Sequence, residues 1–444
     1  MGNLSSHADT SAPGHLIDFQ MEVSPTSMSC RSIQPGDTTY MPFFSASQQF
    51  TNLAWGLAAA WLWKGITSLV GMRKIPDLSQ IDPATLPPIP ESDGPDLTVI
   101  VPARDEETVI GQCLHSLLAS SGLKLQIIAV DDRSTDRTGT IMDAIAAEAR
   151  AGNSPHQIEI IHITELPAGW LGKPHALATG ANRATSPWIL FTDGDVLFGP
   201  RALEFAMREA VELNADHLVL APTIIFHSVG ERAVLGAMQA MASWMVRLWN
   251  VADPRAKDSF GAGAFNMIRR DVYLAIGGFE KLRLEILEDV FLGMRVKRSG
   301  FTQRIILGPN LVRLRWIEGL FGVVSLLEKN AFAVTRFRTP LQLLASLSPL
   351  LHAVVPLAAI FSGGWNAVAG LVTYVGLILV YQAGRRATRV PAWYALLFAP
   401  AVLLLAWAML RSMFLALTRG GVIWRGTLYP LAELRRAARQ SLGR

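Results

Sequence analysis

The sequence predicts an α/β protein: a Rossmann-like, mainly parallel sheet with helices on both faces, and transmembrane helices at both ends of the chain. Three observations predict it. Five short, nearly continuous apolar runs, at residues 97–103, 125–131, 158–163, 188–192 and 217–224, alternate with helical periods. Runs of that kind are how strands buried on both faces of a parallel sheet read. Apolar stretches at 51–72, 341–361, 366–382 and 392–418 approach or reach the length that crosses a bilayer. Charged residues make up 17% of the 444 and hydrophobic residues 50%, against about 25% charged in a soluble protein.

In chain order, residues 1–49 are rich in Ser, Thr, Pro and Gln and read as a disordered tail. Residues 50–74 read as an N-terminal transmembrane or interfacial helix, the latter with Trp55, Trp61 and Trp63 at headgroup depth. Lys64 lies in its middle, and Arg73 and Lys74 follow it, which makes that end cytoplasmic. Residues 75–96 form a proline-rich linker. The catalytic domain spans 97–335. Within it Ile110, Cys113, Leu114 and Leu117 make one helical stripe, with Cys113 a small core residue. Ser134 is placed to cap the next helix and Gly152 to end it, and Pro174 suits the first turn of a third.

Residues 336–424 form a C-terminal membrane region, and 425–444 a basic tail. Arg385, Arg386 and Arg389 return to the cytoplasm after two spans. One further span would put the arginine-rich terminus outside. Residues 392–418 are therefore expected to be re-entrant or hairpin-like, broken near Ala399-Pro400.

Two cysteines, Cys30 and Cys113, exclude a disulfide scaffold and a four-cysteine zinc site. The net charge of +4 reads as membrane electrostatics; no basic stripe interleaved with aromatics points to nucleic acid.

The strand ends carry the chemistry. The first ends Pro102-Ala103-Arg104-Asp105-Glu106-Glu107, the second Asp131-Asp132-Arg133-Ser134-Thr135-Asp136, and the fourth Asp193-Gly194-Asp195. In an open α/β sheet ligands bind beyond those ends. Three carboxylate clusters on one edge call for a divalent cation, or a cation carrying a diphosphate.

These motifs resemble the family 2 glycosyltransferases of GT-A fold, over residues 97–330. Gly172-Lys173-Pro174-His175-Ala176-Leu177, Glu288-Asp289 and the segment from Gly261 to Gly277-Gly278-Phe279 extend the resemblance. Pro167-Ala168-Gly169-Trp170-Leu171-Gly172 and Glu328-Lys329-Asn330 are similar to membrane-bound members of the hopene-associated and carotenoid type. The resemblance implies a UDP- or GDP-sugar donor held by the backbone at Pro102 and Ala103, by Arg104 (where relatives have Tyr), and by Glu106, Asp132, Lys173 and Asp193. It implies Mg2+ or Mn2+ on Asp193 and Asp195, and Asp289 as the base of an inverting transfer. Glu288 is a helper or structural residue at the acceptor site, and His175 a packed helix residue.

Residues 234–249 are amphipathic at helical spacing, either core packing or a platform on which Trp244 and Trp249 admit a lipid acceptor. Val312-Arg313-Leu314-Arg315-Trp316 is similar to the Q-x-x-R-W motif of processive synthases, with Arg315 and Trp316 as acceptor-site candidates, but Val312 replaces the Gln.

The implied activity is a metal-dependent, non-processive transfer of sugar to a hopanoid- or isoprenoid-like lipid. The enzyme would be a multi-pass protein of the inner membrane, its catalytic domain cytoplasmic. The alternatives are a processive polysaccharide synthase and a membrane scaffold with a vestigial sugar-nucleotide domain. A nucleotidyltransferase on this fold wants a Gly-rich first loop, and residues 102–107 have no Gly.

Overall fold

The computed structural model describes residues 45–90, 93–316 and 319–440. The expected tail lies outside them, except that its last residues open a helix, α1 (Ala46–Met72). The proline-rich stretch that follows is docked. It forms short 3-10 turns at Leu78–Gln80 and Pro83–Thr85, capped by Asp77 and Asp82. Asp77 also pairs with Arg386 at 3.1 Å.

The α/β region runs β1 (Leu97–Ala103), α2 (Ile110–Leu118), β2 (Leu125–Asp132), α3 (Thr138–Ala151), β3 (Gln157–Ile163), α4 (Gly172–Ala181), β4 (Trp188–Phe191), β5 (Leu197–Phe198), α5 (Ala202–Glu212) and β6 (His217–Ala221). It continues through β7 (Thr223–Ile224), α6 (Val229–Met245), β8 (Asn266–Arg269), α7 (Arg270–Ala275), α8 (Glu288–Arg298), β9 (Gln303–Leu307) and β10 (Val312–Leu314). Seven strands pair in the order β3-β2-β1-β4-β8-β6-β9. Every neighbour is parallel except β8, which runs antiparallel to both β4 and β6.

The central strands are buried on both faces. Val99, Val101 and Ile127 pack with Ile110, Leu114 and Leu117 of α2 on one side. Ile100, Ile128 and Val130 pack with Leu177 of α4 and Leu292 of α8 on the other. Each such side chain contributes roughly 1.5–3 kcal/mol, which is why an unbroken apolar run is read correctly as a strand here. Cys113 lies in the first of these layers. Gly152 ends α3, but Ser134 does not cap it. Asp136 takes that place, accepting the Thr138 N–H at 2.9 Å, and the Ser134 hydroxyl accepts the Asp105 N–H instead.

Beyond the sheet come α9 (Gly319–Val334), α10 (Thr339–Ser362), α11 (Gly364–Thr388) and α12 (Phe398–Thr418), then β11 (Gly421–Trp424), β12 (Thr427–Pro430) and α13 (Leu431–Gln440). Among the described residues four helical segments are long and apolar enough to cross a membrane: α1, α10, α11 and residues 392–418. They expose Trp63, Leu344, Phe361, Trp365, Leu371 and Phe414, a surface that suits lipid and not water. α1 and α11 approach closely through small residues: a Cβ on Gly65 would come within 2.7 Å of the Gly376 carbonyl oxygen. Trp61 is fully buried within the protein and donates its indole N–H to His352 Nδ1 at 2.9 Å.

Two C-terminal expectations change. Residues 392–418 are not broken at Pro400: a 3-10 turn (Ala392–Leu397) leads into α12, and Pro400 falls in its first turn, where a missing N–H costs no intrahelical bond. And the basic tail is no tail: β11 and β12 form a hairpin and α13 a helix, packed on the α/β region through Val422, Trp424, Tyr429 and Leu434.

Candidate active site

β2, β1 and β4 are adjacent and parallel, with Ala103 opposite Asp131 and Ile100 opposite Phe191. Their carboxyl ends therefore present the three acidic loops along one edge. Two helices bring their N-termini to it. Lys173 is the second residue of α4, and Glu288 and Asp289 are the first two of α8, where the helix dipole favours carboxylates. The Lys173 ammonium lies 2.7 Å from Asp193 Oδ1 and 2.5 Å from Glu288 Oε1. It joins two motifs that are 95 residues apart in the chain, Asp193 and Glu288. A Cβ at Gly263 would stand 2.5 Å from Asp193 Oδ2 and 3.3 Å from Lys173 Nζ, so a side chain there would displace the Asp193–Lys173 pair.

The electrostatics follow from crowding. Burial, then the charges of Asp193 and Glu106, push the Asp195 carboxyl up to about 7. Burial likewise pushes Glu288 up to about 7, with Lys173 opposing and Asp289 adding. Asp289 is raised too, by burial first. Burial would raise Asp193, but Lys173 outweighs it and, with Lys329 and Arg425, holds Asp193 below the ordinary carboxylate range. For Lys173, burial is overcome by Asp193, Glu288 and Asp289, and the ammonium stays charged above its usual range.

The cluster has more carboxylates than cations. Among the described residues no group of three or more His, Cys, Asp or Glu is arranged to hold a metal ion. A hard cation on Asp193 and Asp195 would draw its remaining oxygens from a diphosphate and water, and the under-neutralised, all-oxygen pair fits that.

A buried relay fixes the first turn of α8. Gln303 Nε2 donates to His217 Nδ1 at 2.7 Å, His217 Nε2 to Asn266 Oδ1 at 2.5 Å, and Asn266 Nδ2 to the Asp289 carbonyl at 3.3 Å. Burial lowers His217 to about 4, so the imidazole is neutral, as this chain of donors requires. None of these three residues stands out in the sequence, because each opens a short strand and belongs to no motif.

The loops after β1 and β2 are tied together. Thr135 N donates to Asp105 Oδ1 at 2.7 Å, and Glu106 N to the Thr138 hydroxyl at 2.7 Å. Pro102 and Ala103 end β1 at this floor. Arg104 turns toward Asp105 at 3.7 Å. Asp132 is clasped by Arg133 through two bonds of 2.8 and 3.1 Å. Asp131 accepts the Ser134 N–H and bonds His162, a structural partner. His175 packs edge-on to Trp170.

The acceptor candidates lie in separate places. Trp244 and Trp249 face α1: the Lys64 ammonium is 5.4 and 5.5 Å from their rings, and Trp244 stacks edge-on to Trp61. Arg315 and Trp316 follow β10 near the start of α6, where Arg315 acts on Glu231.

Two cations were missed as site residues. Lys329, on α9, acts electrostatically on Asp193 and lies 4.7 Å over the ring of Trp424. Arg425, at the tip of the C-terminal hairpin, pairs with Glu106 at 2.5 Å. The readable signal was Trp424-Arg425-Gly426-Thr427 flanked by strand-forming residues, a hairpin pattern hidden in what looked like a topogenic basic run.

Residues 98–277 match the family described as glycosyl transferase family 2. The 4,4'-diaponeurosporenoate glycosyltransferase of Staphylococcus aureus is 25% identical over 202 residues, 44% of this chain and 50% of its own length, in strains USA300 and NCTC 8325 alike. The chain thus spans about half the length of the curated relatives it matches. Among solved structures, the mannosyltransferase PcManGT from Pyrobaculum calidifontis, in complex with GDP-Man and Mn2+, is 18% identical with a TM-score of 0.45, covering 89% of this chain and 99% of that one. TarS of S. aureus in complex with UDP is 16% identical with a TM-score of 0.36, covering 75% and 95%.

Proposed function

We propose, from the match of residues 98–277 to glycosyl transferase family 2 and from the site on the mixed α/β sheet, that the chain is a membrane-bound, inverting glycosyltransferase moving one sugar, or few, from a UDP- or GDP-sugar to a lipid acceptor of hopanoid or isoprenoid kind. The observation that carries the reading is the Lys173 bridge, which gathers Asp193, Glu288 and, through α8, Asp289 at the ends of β1, β2 and β4.

The floor made by the β1 and β2 loops receives the nucleoside, with Pro102, Ala103, Arg104, Glu106 and Asp132 as donor contacts. Asp193 and Asp195 would hold Mg2+ or Mn2+, and such a cation would supply charge neutralisation to the leaving diphosphate. Asp289 takes the proton of the acceptor hydroxyl. The acceptor oxygen forms its bond to the anomeric carbon as the bond from that carbon to the phosphate oxygen breaks, and the electron pair leaves with the nucleoside diphosphate. One displacement inverts the centre. Burial, which raises the Asp289 carboxyl, makes it a better base than a free aspartate. Lys173 fixes Glu288 and Asp193 so that Asp289 is aimed.

The exposed apolar faces of α1, α10, α11 and α12 support a bilayer location, and the relative's name supports a carotenoid-like acceptor. Trp244, Trp249, Arg315 and Trp316 are read as acceptor-side residues. Each methylene drawn into water costs about 0.8 kcal/mol, so a long-chain acceptor is best met at the membrane surface. Arg386 before residues 392–418 bonds Asp77 of the docked proline-rich stretch, and Arg425 after them bonds Glu106 after β1. That supports a placement of the catalytic domain and C-terminus on one face, the cytoplasmic face of the inner membrane. Val312 in place of the processive Gln supports single transfer.

The test is to incubate the purified chain with radiolabelled UDP- and GDP-sugars, Mn2+ and total lipid extract. Label in a solvent-extractable product carrying one sugar is expected. Label confined to water-soluble material, or to long polymer, contradicts the reading.

A further inference from the structure

The C-terminal hairpin ends in a residue that its backbone does not favour. Trp424 pairs with Thr427, which leaves Arg425-Gly426 as a two-residue turn with φ of +47° and +76°. Such turns take Gly, or Asn or Asp whose short polar side chains bond locally, at the first position, because other side chains with a Cβ are disfavoured in the left-handed region. An arginine in that place needs a reason.

Its present partners do not supply one. Arg425 bonds Glu106 Oε1 at 2.5 Å and donates to the Arg104 carbonyl oxygen. The pair is open to solvent, with side chains 41% and 25% exposed, and ion pairs of that kind contribute little. What the contacts do fix is position. Trp424 and Tyr429 are buried with Leu171 and Ile286. Leu171 immediately precedes α4, which carries Lys173, and Ile286 lies two residues before Glu288. Tyr429 also stands beside Arg133, the residue that clasps Asp132. The hairpin is thus seated against the segments that deliver the catalytic cluster, and its tip reaches the loop after β1. Arg425 acts on Asp193 and on Lys329, so a second cation stands with it at the same rim.

We propose that Arg425 is a donor-binding residue: in the loaded site its guanidinium leaves Glu106 and holds the diphosphate of the nucleotide sugar. The inference rests on the reading of this edge as a nucleoside-diphosphate-sugar site. A planar fork with parallel N–H donors suits two phosphate oxygens as it suits a carboxylate. Glu106 is the place where the arginine waits. The segment after the last apolar helix thereby becomes part of the donor site, and the membrane region and the catalytic sheet share one ligand.

The experiment uses the full-length chain in detergent with Mn2+ and measures calorimetric affinity for UDP and GDP, and for UMP and GMP. Arg425→Gln is expected to weaken the tighter-binding diphosphate by about 10- to 100-fold, the loss of a charge-assisted bond. The matching monophosphate should weaken much less. Arg425→Lys should fall between, and Arg436→Gln, an exposed arginine on α13, should bind as wild type does. The unfolding temperature of the nucleotide-free Arg425→Gln chain should match wild type; should that variant not fold, Arg425→Lys carries the comparison. Unchanged diphosphate affinity overturns the inference. So does an equal loss for mono- and diphosphate, which would mean that the hairpin only braces the loop. A wild-type chain that binds neither UDP nor GDP overturns the donor-site reading itself, and this inference with it.

Discussion

Replacing Lys173 by Met tests how the carboxylate cluster is held together. In the wild type the ammonium is 2.7 Å from Asp193 and 2.5 Å from Glu288. The Glu288 side chain is only 3% exposed and that of Asp193 35%. Solvent screens the Asp193 contact, so the Glu288 contact dominates. Removing one partner of a buried pair costs about 3–5 kcal/mol, because it strands the other charge; with the partial exposure here we expect about 3 kcal/mol at pH 8. The sign with pH is fixed by Glu288. Its folded value, about 7, lies above the ordinary 4.5, so its contribution is full at low pH and lost as pH rises through 7. Without Lys173 the value rises further, so ionisation at pH 8 costs more. At pH 6 the carboxyl is already largely protonated, and with a slope of at most about 1.4 kcal/mol per pH unit for one proton acting mainly between pH 7 and 8, the penalty there is smaller by about 1 kcal/mol. Thermal unfolding of the ligand-free chain, followed by its 12 tryptophans, should show a larger drop for Lys173→Met at pH 8 than at pH 6. An equal drop at both, or none, would refute the reasoning.

Three further outcomes are expected. With a nucleoside diphosphate present, Mn2+ affinity should fall as pH is lowered from 8 to 6, because a proton competes for Asp195, which titrates near 7; calorimetry should show proton release, and Asp195→Asn should abolish both the release and most of the affinity. Gly376→Leu should destabilise the chain by about 2–3 kcal/mol or prevent folding, since even one added methyl would meet the backbone of α1 at Trp61; unfolding in lipid nanodiscs reads it. Trp244→Ser with Trp249→Ser should raise the KM for lipid more than for nucleotide sugar and leave UDP or GDP affinity unchanged; equal effects on both substrates would count against a lipid-side role.

The strands at the acidic edge were legible because they are buried on both faces. Val99 and Ile100 serve opposite layers, so short of the acidic end of β2 the runs of β1 and β2 are apolar but for Thr98 and Gln126 near their starts. β8 and β9 were not, because Asn266 and Gln303 carry the relay beneath Asp289 and break the apolar signature. Asp193 and Asp195 were readable from their place at a strand end, where α/β folds gather ligands; Lys173, Glu288 and Asp289, at helix starts, were picked out only by their resemblance to family motifs. Their mutual distances were not readable, since the Lys173 contacts depend on how α4 and α8 dock. Lys64 weakened the reading of α1 as a span, but in the fold it turns inward to Trp244 and Trp249. The C-terminal hairpin escaped because Arg425 follows an apolar helix, where basic residues ordinarily report topology. Only the fold shows that it returns to Glu106.

The central claim is that sugar leaves a nucleoside diphosphate at this edge with Asp289 as the base. The most direct measurement takes Asp289→Asn and wild type side by side, scoring transfer to lipid and calorimetric affinity for UDP and GDP on the same preparations. The account predicts transfer lower by a factor of about 10²–10⁴ or more, with nucleotide affinity unchanged. Transfer at the wild-type rate, or a loss of transfer matched by an equal loss of nucleotide binding, would contradict it.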